Sequence, residues 1–181
     1  MNNILVISED TIRSNSEISD NIWGKSLLPA IRTAQEIYLE MFLGSCLYNK
    51  ILNLISTGEI GLDANIAYKN LLDTYITPFM IERVVADLIP IIGNKITNLG
   101  VFKSDDEYAK NTGADEVDRL YQLHVNKSDH YAKRMQQFLK SNMDIYPELD
   151  VCNCGDVKPC LDSSADCSIW LGGTRGKYVR F

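Results

Sequence analysis

The stretch LLPAIRTAQEIYLEMFLG, residues 27–44, spaces its apolar side chains at intervals of three and four residues. This spacing predicts an α-helix with one apolar face. Proline is best tolerated in the first helical turn, so we expect the helix to begin close to Pro29. Gly44 interrupts the pattern, and Ser45 is a suitable N-cap for a second helix that ends at Thr57–Gly58. The apolar face carries Leu27, Ile31, Ala34, Tyr38, Met41 and Phe42.

Two further helices are predicted after residue 63. The first covers residues 64–75, and the second begins at Thr77–Pro78, because proline is favoured at the first helical position. We expect the second helix to extend to about Asn98, with a kink or a break at Pro90. This segment is apolar on nearly every side, so we expect it to be the most buried element.

Residues 114–143 predict a long amphipathic helix that ends before Tyr146–Pro147. Its apolar positions are Val117, Leu120, Tyr121, His124, Tyr131, Met135, Phe138 and Leu139. Its opposite face carries Asp115, Glu116, Asp118, Lys127, Asp129, Lys133 and Arg134. A charged helical face usually contacts solvent; the alternatives are a subunit interface or the wall of a channel.

The two ends of the chain lack a helical pattern. Residues 1–20 combine a short β-like run with a polar stretch, and residues 169–171 and 178–181 predict two short strands around a Gly-rich turn. An isolated hairpin is marginally stable in water, so its apolar side chains should contact another surface. These side chains are Ile169, Trp170, Leu171, Tyr178, Val179 and Phe181.

The predicted architecture is therefore all-α. A helical bundle forms the body, residues 1–149, and an extended C-terminal arm, residues 150–181, contains a short β-hairpin. The 181 residues are 45% apolar and 23% charged, which suits one globular body with an appendage.

Composition excludes several classes of protein. A net charge of −6 argues against a protein that coats DNA, because duplex binding needs Lys and Arg to displace counterions. It does not exclude a protein that surrounds DNA. The apolar run at residues 4–7 is too short for a signal peptide, and Glu82, Arg83 and Asp87 interrupt the longest apolar stretch. We expect a protein made in a reducing cytoplasm, where cysteines stay thiols or bind metal.

Four of the five cysteines lie in CNCGDVKPCLDSSADC, residues 152–167. Cys152, Cys154, Cys160 and Cys167 could hold zinc as four thiolates. However, structural zinc sites usually pair their ligands as C-x2-C or C-x4-C, whereas the spacing here is C-x-C-x5-C-x6-C. We favour a mobile, cysteine-bearing arm over a metal site and predict no cofactor. A catalytic cysteine is disfavoured, because no basic residue nearby in sequence lowers a thiol pKa.

Other candidate sites have simpler interpretations. The Gly-rich, basic residues 172–177 precede no helix, so a tight turn is favoured over a phosphate site. His124 and His130 are six residues apart, on different helical faces, and do not form a metal pair. Residues 105–107, Asp-Asp-Glu, lack the spaced ligands of a calcium loop and suit the start of a helix. No catalytic residue is predicted, and we expect a protein that is not an enzyme.

Residues 7–149 resemble phage head–tail connector (adaptor) proteins, especially those of crAss-like and related phages of Bacteroidales hosts. The resemblance rests on an ordered series of segments. They are ISEDTIRSNSEISDN (7–21), LLPAIRTAQEIYLEMFLGSCLYNKIL (27–52), AYKNLLDTYITPFMIERVVADLIP (67–90), LGVFKSDD (99–106), HYAKRMQQFLKSN (130–142) and YPEL (146–149).

The resemblance implies a homo-oligomeric ring of about twelve copies below the portal, at the head–tail junction of a virion. Such a ring extends the DNA channel, and it binds the portal protein and neighbouring connector or tail proteins, partly through terminal arms. Genomic DNA passes through the lumen without sequence-specific binding, and no membrane is involved. Two other hypotheses are a small zinc-stabilised regulatory or nucleic-acid-binding protein that uses the cysteine cluster, and an enzyme with an unrecognised site.

Overall fold

The computed structural model describes residues 4–18, 24–92, 94–97, 100–103, 114–150 and 157–161. The α-helices are α1 (Glu9–Asn15), α2 (Gly24–Thr33), α3 (Glu40–Ser56), α4 (Ile66–Leu71), α5 (Thr77–Ile92) and α6 (Ala114–Ser141). Two π-helical segments are Ala34–Leu39 and Leu72–Ile76, and 3₁₀ turns are Glu59–Gly61, Asp63–Asn65 and Pro147–Leu149. Strands β1 (Asn94–Thr97) and β2 (Gly100–Lys103) form an antiparallel hairpin, with Asn94 opposite Lys103. The prediction of an all-α body is confirmed.

Helix α1 was not predicted, because so short a helix shows little periodicity. The structure gives its local cause: the backbone N–H of Thr11 donates to the Ser8 side chain at 3.1 Å, which caps the helix. Glu9 and Asp10 then place negative charge in the first turn, where the helix dipole favours it. Ile12 is fully buried and anchors α1 to the core.

Helix α2 begins at Gly24, so the prediction of a start close to Pro29 is wrong. Leu27, Ala30 and Ile31 are buried on both sides of Pro29, and this burial stabilises the helix against the loss of one backbone hydrogen bond. The chain then passes through the π-helical segment Ala34–Leu39 directly into α3.

Gln35 in this π-helical segment joins the N-terminal residues to the body. Its side chain is buried, its Oε1 accepts from the backbone N–H of Val6 at 3.0 Å, and its Nε2 donates to the carbonyl of Ile4 at 3.0 Å. Both backbone groups are therefore paired by one buried amide, as buried polar groups require.

Helix α5 begins at Thr77, as predicted, but no loop separates it from α4. Helical backbone continues from α4 through the π-helical segment Leu72–Ile76 into α5. Pro78 has no N–H to donate, and a π-helical turn just before it accommodates the altered hydrogen bonding without ending the helix. Pro90 does not split α5 either, because it lies only two residues before the helix ends at Ile92.

The predicted extension of this helix to Asn98 is also wrong, since residues 94–97 form β1. Ile96, Thr97 and Val101 are β-branched, and such residues favour strands over helices. The local sequence therefore supports a hairpin immediately after the apolar helix.

Helix α5 is the central element, as predicted. It contributes buried residues along its length, and α6 packs along it. Aromatic contacts support this core: the Phe79 ring lies edge-on to Phe42, with 5.4 Å between centroids, and Tyr75 stacks on Phe138 at 4.1 Å. The buried α5 side chains are Phe79, Met80, Ile81, Val84, Val85, Ala86 and Leu88.

Three tyrosines make the fold sensitive to alkaline pH. Burial raises the pKa of Tyr48, Tyr68 and Tyr146 from 10.0 to about 12. Between pH 10 and 12 the folded chain holds phenolic protons that the unfolded chain releases, so the free energy of unfolding falls as the pH rises through this window. We expect a lower urea midpoint at pH 11 than at pH 9, and a smaller difference for Tyr146→Phe. Equal pH dependence in the two proteins would contradict this prediction.

Candidate functional site

Residues 157–161, here called the strap, lie against α3 where the helix bends. Gly44 has φ 72° and ψ 155°, outside the helical range, so the predicted interruption is confirmed. In an unbroken helix the Ser45 N–H would donate to the Met41 carbonyl. Here the Ser45 N–H donates to the carbonyl of Val157 at 3.0 Å, and the Cys160 N–H donates to the Met41 carbonyl at 3.1 Å. The strap therefore pairs both groups that the bend separates.

Side chains reinforce this contact. The Ser45 hydroxyl accepts from the Val157 N–H at 3.1 Å and donates to Glu40 Oε1 at 2.6 Å, instead of making the predicted N-cap contact. From α6, Gln136 Nε2 donates to the Cys160 carbonyl at 2.8 Å. The strap thus connects α3 to α6.

Both the limited space and the backbone conformation at position 44 require glycine. A Cβ atom built at this position would lie 2.7 Å from Cδ of Pro159 and 2.8 Å from its backbone nitrogen. A positive φ is also strained for residues other than glycine. The close approach of the strap and the bend in α3 therefore depend on the same residue.

The expectation that the clustered cysteines are thiols or metal ligands is wrong for Cys160. Cys160 and Cys46 are both disulfide-bonded. Residues 157–161 contact the body, so this part of the predicted C-terminal arm is not mobile as expected. Within the described ranges, no group of three or more His, Cys, Asp or Glu side chains could hold a metal ion. The remaining cluster members, Cys152, Cys154 and Cys167, lie outside the described residues.

A groove of about 730 Å³ lies between α2, α5 and α6. In its wall, Arg83 Nη2 lies 3.2 Å from Asp87 Oδ1, and the Arg83 guanidinium lies 3.6 Å from the centre of the Tyr38 ring. Arg83 Nε and Asp87 Oδ2 are buried without a hydrogen-bond partner among the described residues. Burial raises the pKa of Asp87, and Arg83 opposes part of that rise. The groove therefore contains an ion pair that is incompletely hydrogen-bonded.

A second cavity, of about 380 Å³, lies between the end of α1 and the α5–α6 pair. Here Glu82 Oε2 is 2.7 Å from His124 Nδ1 and 3.8 Å from Lys127 Nζ. His124 is buried, whereas His130 is exposed and its ring lies edge-on to Tyr131. The two histidines lie on different faces of α6, as predicted. Glu82 was missed as a partner of His124 because 42 residues separate them.

Exposed apolar side chains lie at one end of the α5–α6 pair. Ile91, Ile92, Leu120 and Leu123 are each between 43% and 50% exposed. The prediction that Leu120 lies on the buried face of α6 is wrong. The completely or nearly buried positions of α6 begin at His124, so the first part of the helix leaves aliphatic side chains uncovered.

Several predicted sites lie outside the described residues. These are the acidic residues 105–107, the Gly-rich residues 172–177 and the apolar arm residues Ile169, Trp170, Leu171, Tyr178, Val179 and Phe181. Among the helices that the structure does describe, none is long and apolar enough to cross a membrane.

Residues 39–159 match the model of a family of unknown function, DUF6712. This match covers most of the 181 residues, and the chain belongs to that family. The matched range includes Gly44, Ser45 and the first part of the strap. No curated protein and no solved structure matches the chain.

Proposed function

We propose that this DUF6712 family member is a structural virion protein, a homo-oligomeric ring of about twelve copies at the head–tail junction below the portal. The observation that supports self-association is that Ile91, Ile92, Leu120 and Leu123 are all exposed at one end of the α5–α6 pair. Several large aliphatic side chains exposed at one end of a soluble protein favour an interaction site there. The resemblance of the sequence to connector proteins is the reason for proposing a ring.

The adjoining groove supports the assignment of the subunit interface to this end of the molecule. Ile91 lines the groove together with Val117 and Tyr121 of α6, so one of the exposed aliphatic side chains borders a concavity. A neighbouring subunit that inserts side chains there would cover apolar area from both elements. Burial of apolar area is the main favourable term in such association.

Charge supports the channel role. The net charge is −6, and the first part of α6 exposes Asp115 and Glu116. In a closed ring these charges add, and a negative lumen repels the phosphate backbone. Genomic DNA then passes through the ring without binding to it.

The arm residues complete the proposal. The portal protein and neighbouring connector or tail proteins would receive an extended arm by strand addition, in which a peptide pairs with the edge of a sheet. The side chains that we assign to this contact are Ile169, Trp170, Leu171, Tyr178, Val179 and Phe181. The protein acts without catalysis.

The zinc-stabilised regulator is the weaker alternative. A tetrahedral site made from the cluster needs four thiolates, and Cys160 is disulfide-bonded. The disulfide of Cys160 would have to be reduced before its sulfur could bind zinc.

Leu120→Asp tests the interface. Placing a carboxylate in a buried apolar contact should weaken association by about 2 kcal/mol or more per contact, about thirtyfold. We expect light scattering to show a ring for the wild type and smaller species for the variant at the same concentration. Gln122→Asp adds the same charge at an exposed neighbouring position and should leave the ring intact. Equal masses for Leu120→Asp and Gln122→Asp would contradict this interface.

A further inference from the structure

We propose that the strap is a removable clasp that keeps α3 bent at Gly44, and that the disulfide bonds of Cys46 and Cys160 lock it in place. The clasp involves residues of a single chain only, so this proposal does not depend on whether the protein forms a ring.

The bend and the strap are stable only together. If the strap left while the helix stayed bent, the Ser45 N–H and the Met41 carbonyl would both lose their hydrogen-bond partners in the protein. A straight helix restores the bond between the Ser45 N–H and the Met41 carbonyl, and Gly44 can adopt helical backbone as readily as its present conformation. Helix α3 therefore has two complete states, bent with the strap bound and straight with the strap released.

The strap is held by few contacts compared with a core helix. Hydrogen bonds to Met41, Ser45 and Gln136 join it to the described body, and Leu161 packs on the core. Val157 and Lys158 are exposed. Segments with few buried contacts open at lower free energy than the core does. The strap can therefore open while the helical body remains folded.

The disulfide-bonded cysteines lie at both sides of this contact. Cys46 directly follows Ser45, and Cys160 is the strap residue that donates to Met41. A dithiol reductant opens each disulfide by thiol–disulfide exchange: the two protein sulfurs become thiols, and the two reductant thiols become a disulfide. In a reducing compartment the clasp is then held by its non-covalent contacts alone, whereas an oxidising environment keeps it closed.

Hydrogen exchange of the full chain, with and without dithiothreitol, tests the clasp. In the oxidised chain we expect protection of the amides of Val157 and Cys160, whose hydrogen bonds exist only while the strap is bound. Complete reduction, verified by mass, should accelerate their exchange at least tenfold and leave the core amides of Val84 and Leu88 unchanged. Unchanged exchange at the strap after complete reduction would overturn the lock. Equal acceleration in the core would also overturn it, because the reduced chain would then be opening globally.

Gly44→Ala tests the coupling between the bend and the strap. In the reduced variant we expect the amides of Val157 and Cys160 to lose their protection and the helix content to rise. Gly58→Ala is the matched control, because Gly58 also has a positive φ, 73°, but has nothing within 4 Å of the added Cβ. The control should lose stability without freeing the strap. Retained protection in Gly44→Ala, or equal release in Gly58→Ala, would overturn the coupling.

Ser45→Ala gives a second readout if Gly44→Ala does not fold. It removes the hydroxyl that accepts from the Val157 N–H without changing the backbone requirement at residue 44. We expect several-fold faster exchange at Val157 in the reduced variant. An unchanged rate would overturn the assignment of this bond to the clasp. Since every readout comes from one chain, a negative result here is separate from a failure to form rings.

Discussion

Replacing Tyr146 with alanine is expected to lower the free energy of unfolding by about 3–5 kcal/mol. The Tyr146 side chain is 1% exposed, and its ring contacts Tyr68 and Phe138 edge-on at centroid distances of 5.6 and 6.1 Å. Alanine would remove these contacts and leave a cavity between α4 and α6. Its hydroxyl also donates to the Ala67 carbonyl at 3.0 Å, so the substitution leaves a buried acceptor unpaired.

Tyr146→Phe separates the two contributions. It keeps the ring and removes only the hydrogen bond, for an expected loss of about 1–2 kcal/mol. Urea unfolding followed by circular dichroism measures both variants. A loss in Tyr146→Ala no larger than that in Tyr146→Phe would show that the ring does not fill the core as described.

Replacing Arg83 with methionine is expected to cost about 3–5 kcal/mol, because it leaves the Asp87 carboxylate buried without its cation. The Arg83 and Asp87 side chains are only 12% and 18% exposed. Methionine preserves much of the apolar stem of arginine but removes the contact between the guanidinium and the Tyr38 ring. Such a contact contributes about 0.5–2 kcal/mol, so the larger part of the expected loss comes from the stranded charge.

The double variant Arg83→Met/Asp87→Leu is the control. Replacing both members of a buried ion pair by apolar residues is often neutral, so most of the lost stability should return. A double variant as unstable as Arg83→Met would show that arginine packing, not charge, is responsible.

The pH dependence of Arg83→Met has a defined sign. Burial already raises the pKa of Asp87 above 3.8 in the folded chain, and removing Arg83 raises it further. The folded chain then holds a proton that the unfolded chain has lost, so stability falls as the pH rises above about 4. The variant should therefore differ most from the wild type at neutral pH and least below pH 4.

The sequence predicted those parts of the fold that depend on local pattern. The long helix α6 and the breaks at Gly44 and Gly58 follow from periodicity and from the conformational freedom of glycine, and the structure contains all of them. Proline was less informative. Pro29, Pro78 and Pro90 all lie within helical backbone, because burial and a π-helical turn compensate for the missing donors.

The sites depend on contacts between distant residues, which a single sequence does not show. Ser45 and Val157 are 112 residues apart, and Glu82 meets His124 only because α5 and α6 pack together. The cysteine cluster was noticed, but its spacing gave no sign that Cys160 lies on the Gly44 bend. Leu120 fits the apolar periodicity of α6 but is exposed. Periodicity does not show which part of a helix is covered by its neighbours.

We propose that the 20.4 kDa chain assembles with itself through the end of the α5–α6 pair. Native mass spectrometry of the purified full chain over a range of concentrations measures this assembly. We expect a closed ring of about twelve copies that Leu120→Asp dissociates and Gln122→Asp does not. A monomer at every concentration would contradict it.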